Sequence, residues 1–226
     1  MRHQTTCRRA LLIVLLGFTG IATFNPTVAQ AVGSGPDQPA LLGQSLATER
    51  CAACHGADGN STDVTIPKLA GQREGYFVAQ MEAFQTGTRP SVVMAGVVAD
   101  LSKAQTASMA AYYANQKIRP DPLVDLPLAR TGERIFRTRR RGAPSCAACH
   151  TGGGVGRGGG MGGGMGMMRT NPAITPRLNG QHPDYLRAQL EAFASGSRKD
   201  PVMGPMAASL SKQDRAAVAE YLSGLK

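Results

Sequence analysis

Tryptophan is absent from the 226 residues, and aromatic side chains make up only 5% of them. Small domains with so few large rings have thin cores, and such chains lean on a metal, a disulfide or a bound group to complete the interior. Charged residues are also few, at 18%, and acids are the scarcer kind: 15 Asp and Glu against 25 Lys and Arg. With 42% hydrophobic residues the chain is too apolar to be wholly disordered. Its apolar stretches are too short for a membrane-spanning bundle.

The one apolar run near the start follows Arg2, Arg8 and Arg9 and ends at Ala29-Gln30-Ala31. A basic start, an apolar middle and a small-residue end are the marks of a secretory signal, so residues 1–31 are expected to be removed on export to the periplasm. Of five cysteines, Cys7 goes with that segment, leaving Cys51, Cys54, Cys146 and Cys149. An even count in an oxidising compartment first suggests disulfides. Yet both pairs read CAACH, and a disulfide framework has no reason to place a histidine directly after the second cysteine twice.

The chain is an internal duplication. Residues 67–117 align with 176–226 at a constant offset, and roughly 22 positions of the aligned stretch are identical. Matched landmarks include Pro67/Pro176, Gly71-Gln72/Gly180-Gln181, Tyr76/Tyr185, Phe84/Phe193, Arg89/Arg198 and Met94/Met203. The second copy carries an insertion, the glycine- and methionine-rich run 152–168, whose composition predicts a surface loop. Between the copies, Pro120, Pro122 and Pro127 break any helix. The expected organisation is a first domain over 32–119, a linker over 120–127 and a second domain over 128–226.

No stretch alternates with period two for long enough to be a strand, so the expected class is all-α, in tandem. Each copy reads as three helical stretches: one leading into CAACH (Leu41 to Arg50; about Thr131 to Phe136), one over Gly75 to Phe84 or Tyr185 to Phe193, and one after Ser102 or Ser211. Both serines are good N-caps, and Gln105 completes a capping box in the first copy.

In C-x-x-C-H, two thiols are spaced to attach to the two vinyl groups of one haem, and the adjacent histidine then lies under the iron. Cys51, Cys54, Cys146 and Cys149 are thus candidates for covalent attachment of two haem c groups, with His55 and His150 as axial ligands. A zinc site would need the two distant pairs to meet, and a dithiol redox pair expects a βαβ context that is missing. The second axial ligand should recur in both copies downstream of the histidine, which selects Met94 and Met203. A methionine as mere core filler is the plainer alternative, and Met206 competes in the second copy. Thioether ligation favours ferrous iron and suits an electron carrier. His182, matched by Arg73, is expected at the surface near a helix start. Arg89 and Arg198 are candidates for pairing with haem propionates or for plain solvated charges.

These residues carry a resemblance. CAACHGADGNS, PKLAGQ, FQTGTRP, Met94 and LSKAQTASMAAYYANQ, with CAACH, PRLNGQ, FASGSR, Met203 and LSKQDRAAVAEYL in the second copy, resemble the dihaem cytochromes c of the cytochrome c4 class over nearly the whole exported chain. The resemblance implies two similar helical domains related by an approximate twofold. It also implies two haem c groups with His/Met ligation and propionates facing each other. The expected activity is electron transfer between periplasmic redox partners, toward terminal oxidases, with possible peripheral membrane association and no role for nucleic acid. Related dihaem subunits serve within dehydrogenase complexes, and a dihaem peroxidase is the enzymatic rival, which requires an openable iron position.

Two features depart from that pattern. One is the 152–168 loop, where Met161, Met165, Met167 and Met168 are soft donors able to gather Cu(I) if the loop is more than an inert insertion. The other is the cluster Arg134, Arg137, Arg139, Arg140 and Arg141 before the second CAACH. Splitting after Pro120, the first domain has seven basic and seven acidic residues and the second fifteen and eight. The second is therefore expected to meet anionic partners and to hold its haem at the higher potential.

Overall fold

The computed structural model describes residues 38–139, 144–151 and 171–226. Residues 1–31, Arg140, Arg141 and the 152–168 segment with its four methionines lie outside the described residues, so those expectations are not addressed by it. Among the described residues every regular element is helical, and no helix is long and apolar enough to cross a membrane.

The first half holds α1 (Gln38–Leu46), α2 (Ala52–His55), α3 (Glu74–Gln85), α4 (Val92–Val98) and α5 (Lys103–Ala114). The second holds α6 (Leu126–Arg137), α7 (Cys146–His150), α8 (Pro183–Ser195), α9 (Met203–Ala208) and α10 (Lys212–Ser223). The three expected stretches appear in each half with longer bounds. α4 and α9 are additional, because helices this short, interrupted by Gly96 and Pro205, leave no readable period. Pro127 does not break a helix. It stands in the first turn of α6 behind the Asp125 cap, where its missing N–H costs nothing.

Each half packs the helix that precedes its CAACH segment across its last long helix, and a glycine sets the distance. A Cβ on Gly43 would lie 2.1 Å from the Ser108 carbonyl oxygen, and one on Gly132 would lie 1.9 Å from that of Ala217. No side chain fits either crossing, so α1 on α5 and α6 on α10 sit backbone to backbone. Around these crossings lie two separate cores. The first gathers Phe77, Met81, Phe84, Val98, Met109 and Tyr113, and the second Ile135, Phe136, Leu186, Val218, Tyr221 and Leu222. Both Ser102 and Ser211 close full capping boxes, the second with Asp214 at the third position.

Candidate functional site

α1 runs on through a π-helical turn, Ala47–Cys51, into α2, so that Cys51 at the end of the turn and Cys54 and His55 on α2 follow one helical ribbon. π-turns of this kind collect at functional sites. In the second half α7 consists of the CAACH residues themselves. No disulfide joins any two of these four cysteines. Among the described residues no three metal-binding side chains of the His, Cys, Asp and Glu types come together, so the two pairs do not form the zinc site weighed above.

The histidines are prepared in the same way in both halves. His55 and His150 are buried, and each donates its Nδ1–H to a proline carbonyl, Pro67 at 2.8 Å and Pro176 at 3.0 Å. A carbonyl only accepts, so the proton sits on Nδ1 and the Nε2 lone pair is left for a metal. Burial pushes both imidazoles below their ordinary range, and the Arg73 guanidinium, reaching from the first half, adds to the effect at His150. Both rings are thereby held neutral, the form that ligates. The proline loops are fixed from behind: Gly71 and Gly180 donate to the Tyr113 and Leu222 carbonyls at the ends of α5 and α10, at 2.8 and 2.9 Å.

Met94 lies in α4, half-buried, and packs with Cys51 against the first core. Its N–H donates to the Ser91 side chain at 3.2 Å, and the Met203 N–H donates to Asp200 at 2.7 Å. Ser91 caps α4, and Asp200 at the matched position, two residues before the Val202 cap of α9, accepts from the Met203 N–H in the same way. Met206 is also half-buried on α9, three residues along.

The donor set fits haem c: paired thiols, a neutral imidazole with Nε2 open, and a methionine held through its N–H in each half. The first half adds a buried phenol, Tyr113, whose Oη has no hydrogen-bond partner; burial, with Cys51 beside it, pushes its pKa up. The two arginines weighed as propionate partners are Arg89 and Arg198. Both are half-buried on the seam between the halves, and each stacks on its own phenylalanine, Phe84 at 4.6 Å and Phe193 at 4.5 Å. Each then crosses to the other half: Arg89 to Tyr185 Oη at 2.8 Å and Gln189, Arg198 to Tyr76 Oη at 3.2 Å and Gln80. They are therefore not solvated surface charges. Their partners here are neutral, which leaves the guanidinium charges available to propionates.

The seam repeats this crosswise pattern. Gln181 exchanges two hydrogen bonds with the Lys68 backbone, and Gln72 does the same with Arg177. His182 corrects the sequence expectation. It is 3% exposed, N-caps α8 and reaches both Asp121 and Ser61. Its match to Arg73 concealed this, because its partners come from the linker and the first half.

The cytochrome c family model matches residues 40–117 and 129–226. Two such units, each with its own CAACH and matched methionine, define a tandem c-type cytochrome. The chain is 37% identical over 220 residues to cytochrome c4 of Pseudomonas aeruginosa, covering 95% of this chain and 96% of that one. The crystal structure of reduced cytochrome c4 from Pseudomonas stutzeri superposes with a TM-score of 0.70 at 35% identity, covering 83% of this chain and 98% of that one. A thiosulfate dehydrogenase electron acceptor of Thiomonas intermedia is 31% identical over 231 residues, covering 99% and 94%. The chain belongs to the cytochrome c4 family of dihaem c-type cytochromes. It carries two covalently bound haem c groups and transfers electrons.

Proposed function

We propose that Cys51 and Cys54 attach one haem and Cys146 and Cys149 the other, with His55/Met94 and His150/Met203 as the axial pairs. The observation that carries this reading is the repetition of both ligand supports, the Nδ1–H to proline bond and the side-chain acceptor three residues before the methionine. Asp200 favours Met203 over Met206, because it reproduces Ser91. A bound haem c supplies a one-electron iron centre. The chain's own residues hold the imidazoles neutral, keep Nε2 free of competing protons and set the two halves against each other.

The domain join is placed at the proline-rich stretch after residue 119, supported by the family model's two matched segments. With both iron faces supplied by the chain, the function is electron carriage between periplasmic redox proteins toward a terminal oxidase, without substrate chemistry. The thiosulfate dehydrogenase acceptor among its relatives favours a second reading, in which the donor is a dehydrogenase. Single Met94→Ala and Met203→Ala variants test the ligation. Each should lose half of the methionine–iron charge-transfer band of the oxidised protein and turn one haem high-spin. A full band in Met203→Ala that Met206→Ala abolishes would reassign the second ligand.

A further inference from the structure

We propose that His182, carrying protons on both ring nitrogens, is the positioning residue that fixes the two haem-bearing halves for electron passage between them. The inference rests on the two-haem reading above and on a hydrogen-bond count at one buried ring.

His182 Nδ1 lies 2.6 Å from Asp121 Oδ2, and Nε2 lies 3.0 Å from the Ser61 carbonyl and 2.9 Å from Ser61 Oγ. The hydroxyl of Ser61 spends its own proton on the Ile66 carbonyl at 2.6 Å, so its oxygen faces the ring as an acceptor. A carboxylate and a carbonyl accept only. Every partner of the ring is thus an acceptor, and only a ring with N–H on both nitrogens satisfies them all. Losing one proton would aim a lone pair at an oxygen inside a buried site, leaving an acceptor unpaired.

The charged groups facing the ring are Asp121 from the linker, Lys68 beyond it and the exposed Asp63. Lys68 is itself buried and binds the other Asp121 oxygen at 2.6 Å, with the Arg119 and Gly180 carbonyls at 2.5 and 3.1 Å. One carboxylate therefore sits between two cations contributed by the two halves. Unlike the crosswise glutamine and arginine bonds, this cluster has no counterpart at the matched position: Arg73 bonds the Pro172 carbonyl instead. It ties the linker, the loop behind the first proline and the start of α8 into one joint. Electron passage between two fixed centres falls steeply with their separation and orientation, so a joint that holds the halves in one setting governs that passage.

The test uses the full haem-loaded protein. In the reduced, diamagnetic state, nitrogen-15-labelled histidine should give two slowly exchanging ring N–H signals for His182 at neutral pH. A single ring N–H would overturn the proposal whatever the iron ligands prove to be. His182→Gln, which cannot present N–H groups on two sides of a ring, should slow electron exchange between the haems about tenfold, and His182→Arg, which borrows the residue of the first copy and keeps donors on both sides, should restore it. A wild-type rate in His182→Gln, with both haems spectrally intact, would show that the residue does not position the halves.

Discussion

The short helix bearing the methionine ends on two carbonyls in each half, and the two halves satisfy them differently. In the first, the Gln85 amide from α3 donates to the Val98 and Leu101 carbonyls at 2.7 and 2.9 Å. In the second, the matched carbonyls of Ala207 and Leu210 take bonds from the Arg215 guanidinium on α10, at 3.1 and 2.7 Å. A neutral amide from one helix and a buried cation from another do the same structural work. Duplication preserved the need, two carbonyls to be paired, while the donor drifted. The consequence is electrostatic. The second methionine helix has a guanidinium beside it, only partly balanced by the half-exposed Glu191 at 2.8 Å.

The outer surfaces diverge in the same direction. Aligning the crossing glycines Gly43 and Gly132 pairs Leu41 with Arg130, Ser45 with Arg134 and Thr48 with Arg137, all of them exposed. One face of the helix that precedes CAACH is therefore uncharged in the first half and cationic in the second. Reduction adds an electron to a haem, so surrounding positive charge stabilises the reduced state. The two halves hold one kind of centre in unequal fields.

The largest test of this comparison is Arg215→Ala. It removes two buried hydrogen bonds and strands the α9 carbonyls, at a cost of about 2–4 kcal/mol. Chemical denaturation should show the loss, and the methionine–iron band should weaken for the second haem alone. Gln85→Ala should do the same to the first haem at about 1–2 kcal/mol, since the lost donors are neutral. If Arg215→Ala disturbed both haems equally, the halves would not be supported independently.

Acid sharpens the comparison next. Because burial holds His55 and His150 below the ordinary imidazole range, the unfolded chain takes up protons more readily than the folded one there. The stability they contribute is present above the usual histidine pKa and is lost as pH falls through and below it. Arg73 deepens the effect at His150 against the opposing Asp200 carboxylate, so Arg73→Gln should move the acid loss of the second haem's ligation to higher pH and leave the first haem's in place. The smallest effect on the fold comes from Arg130→Glu with Arg134→Glu, within about 0.5 kcal/mol because both are exposed. Its signature is kinetic: reaction with an acidic redox partner at low salt should slow, while the wild-type rate falls as salt rises.

The CAACH motifs, the repeated methionine positions, the Ser102 capping box and the Ser211 N-cap were legible because each is local or repeated at a fixed offset. The seam was not. His182 meets Ser61 and Asp121, and Arg89 meets Tyr185, across separations that no periodicity reports, and pairing His182 with Arg73 made a buried residue look variable and exposed. The Gln85 and Arg215 substitution was hidden for a related reason. The two donors occupy unmatched positions on different helices, and only their acceptors align. Arginine in the FQTGTR and FASGSR segments read as a propionate partner or a solvated charge, and its bonds to a tyrosine and a glutamine of the other half were legible in neither reading.

The most direct test of unequal fields around equivalent centres is a potentiometric titration resolved by haem, using Met94→Ala and Met203→Ala to assign each step. The second haem is expected to titrate at the higher potential, and Arg215→Gln should lower that step while leaving the other in place. A higher potential at the first haem, or an Arg215→Gln variant that moves both steps together, would contradict the account.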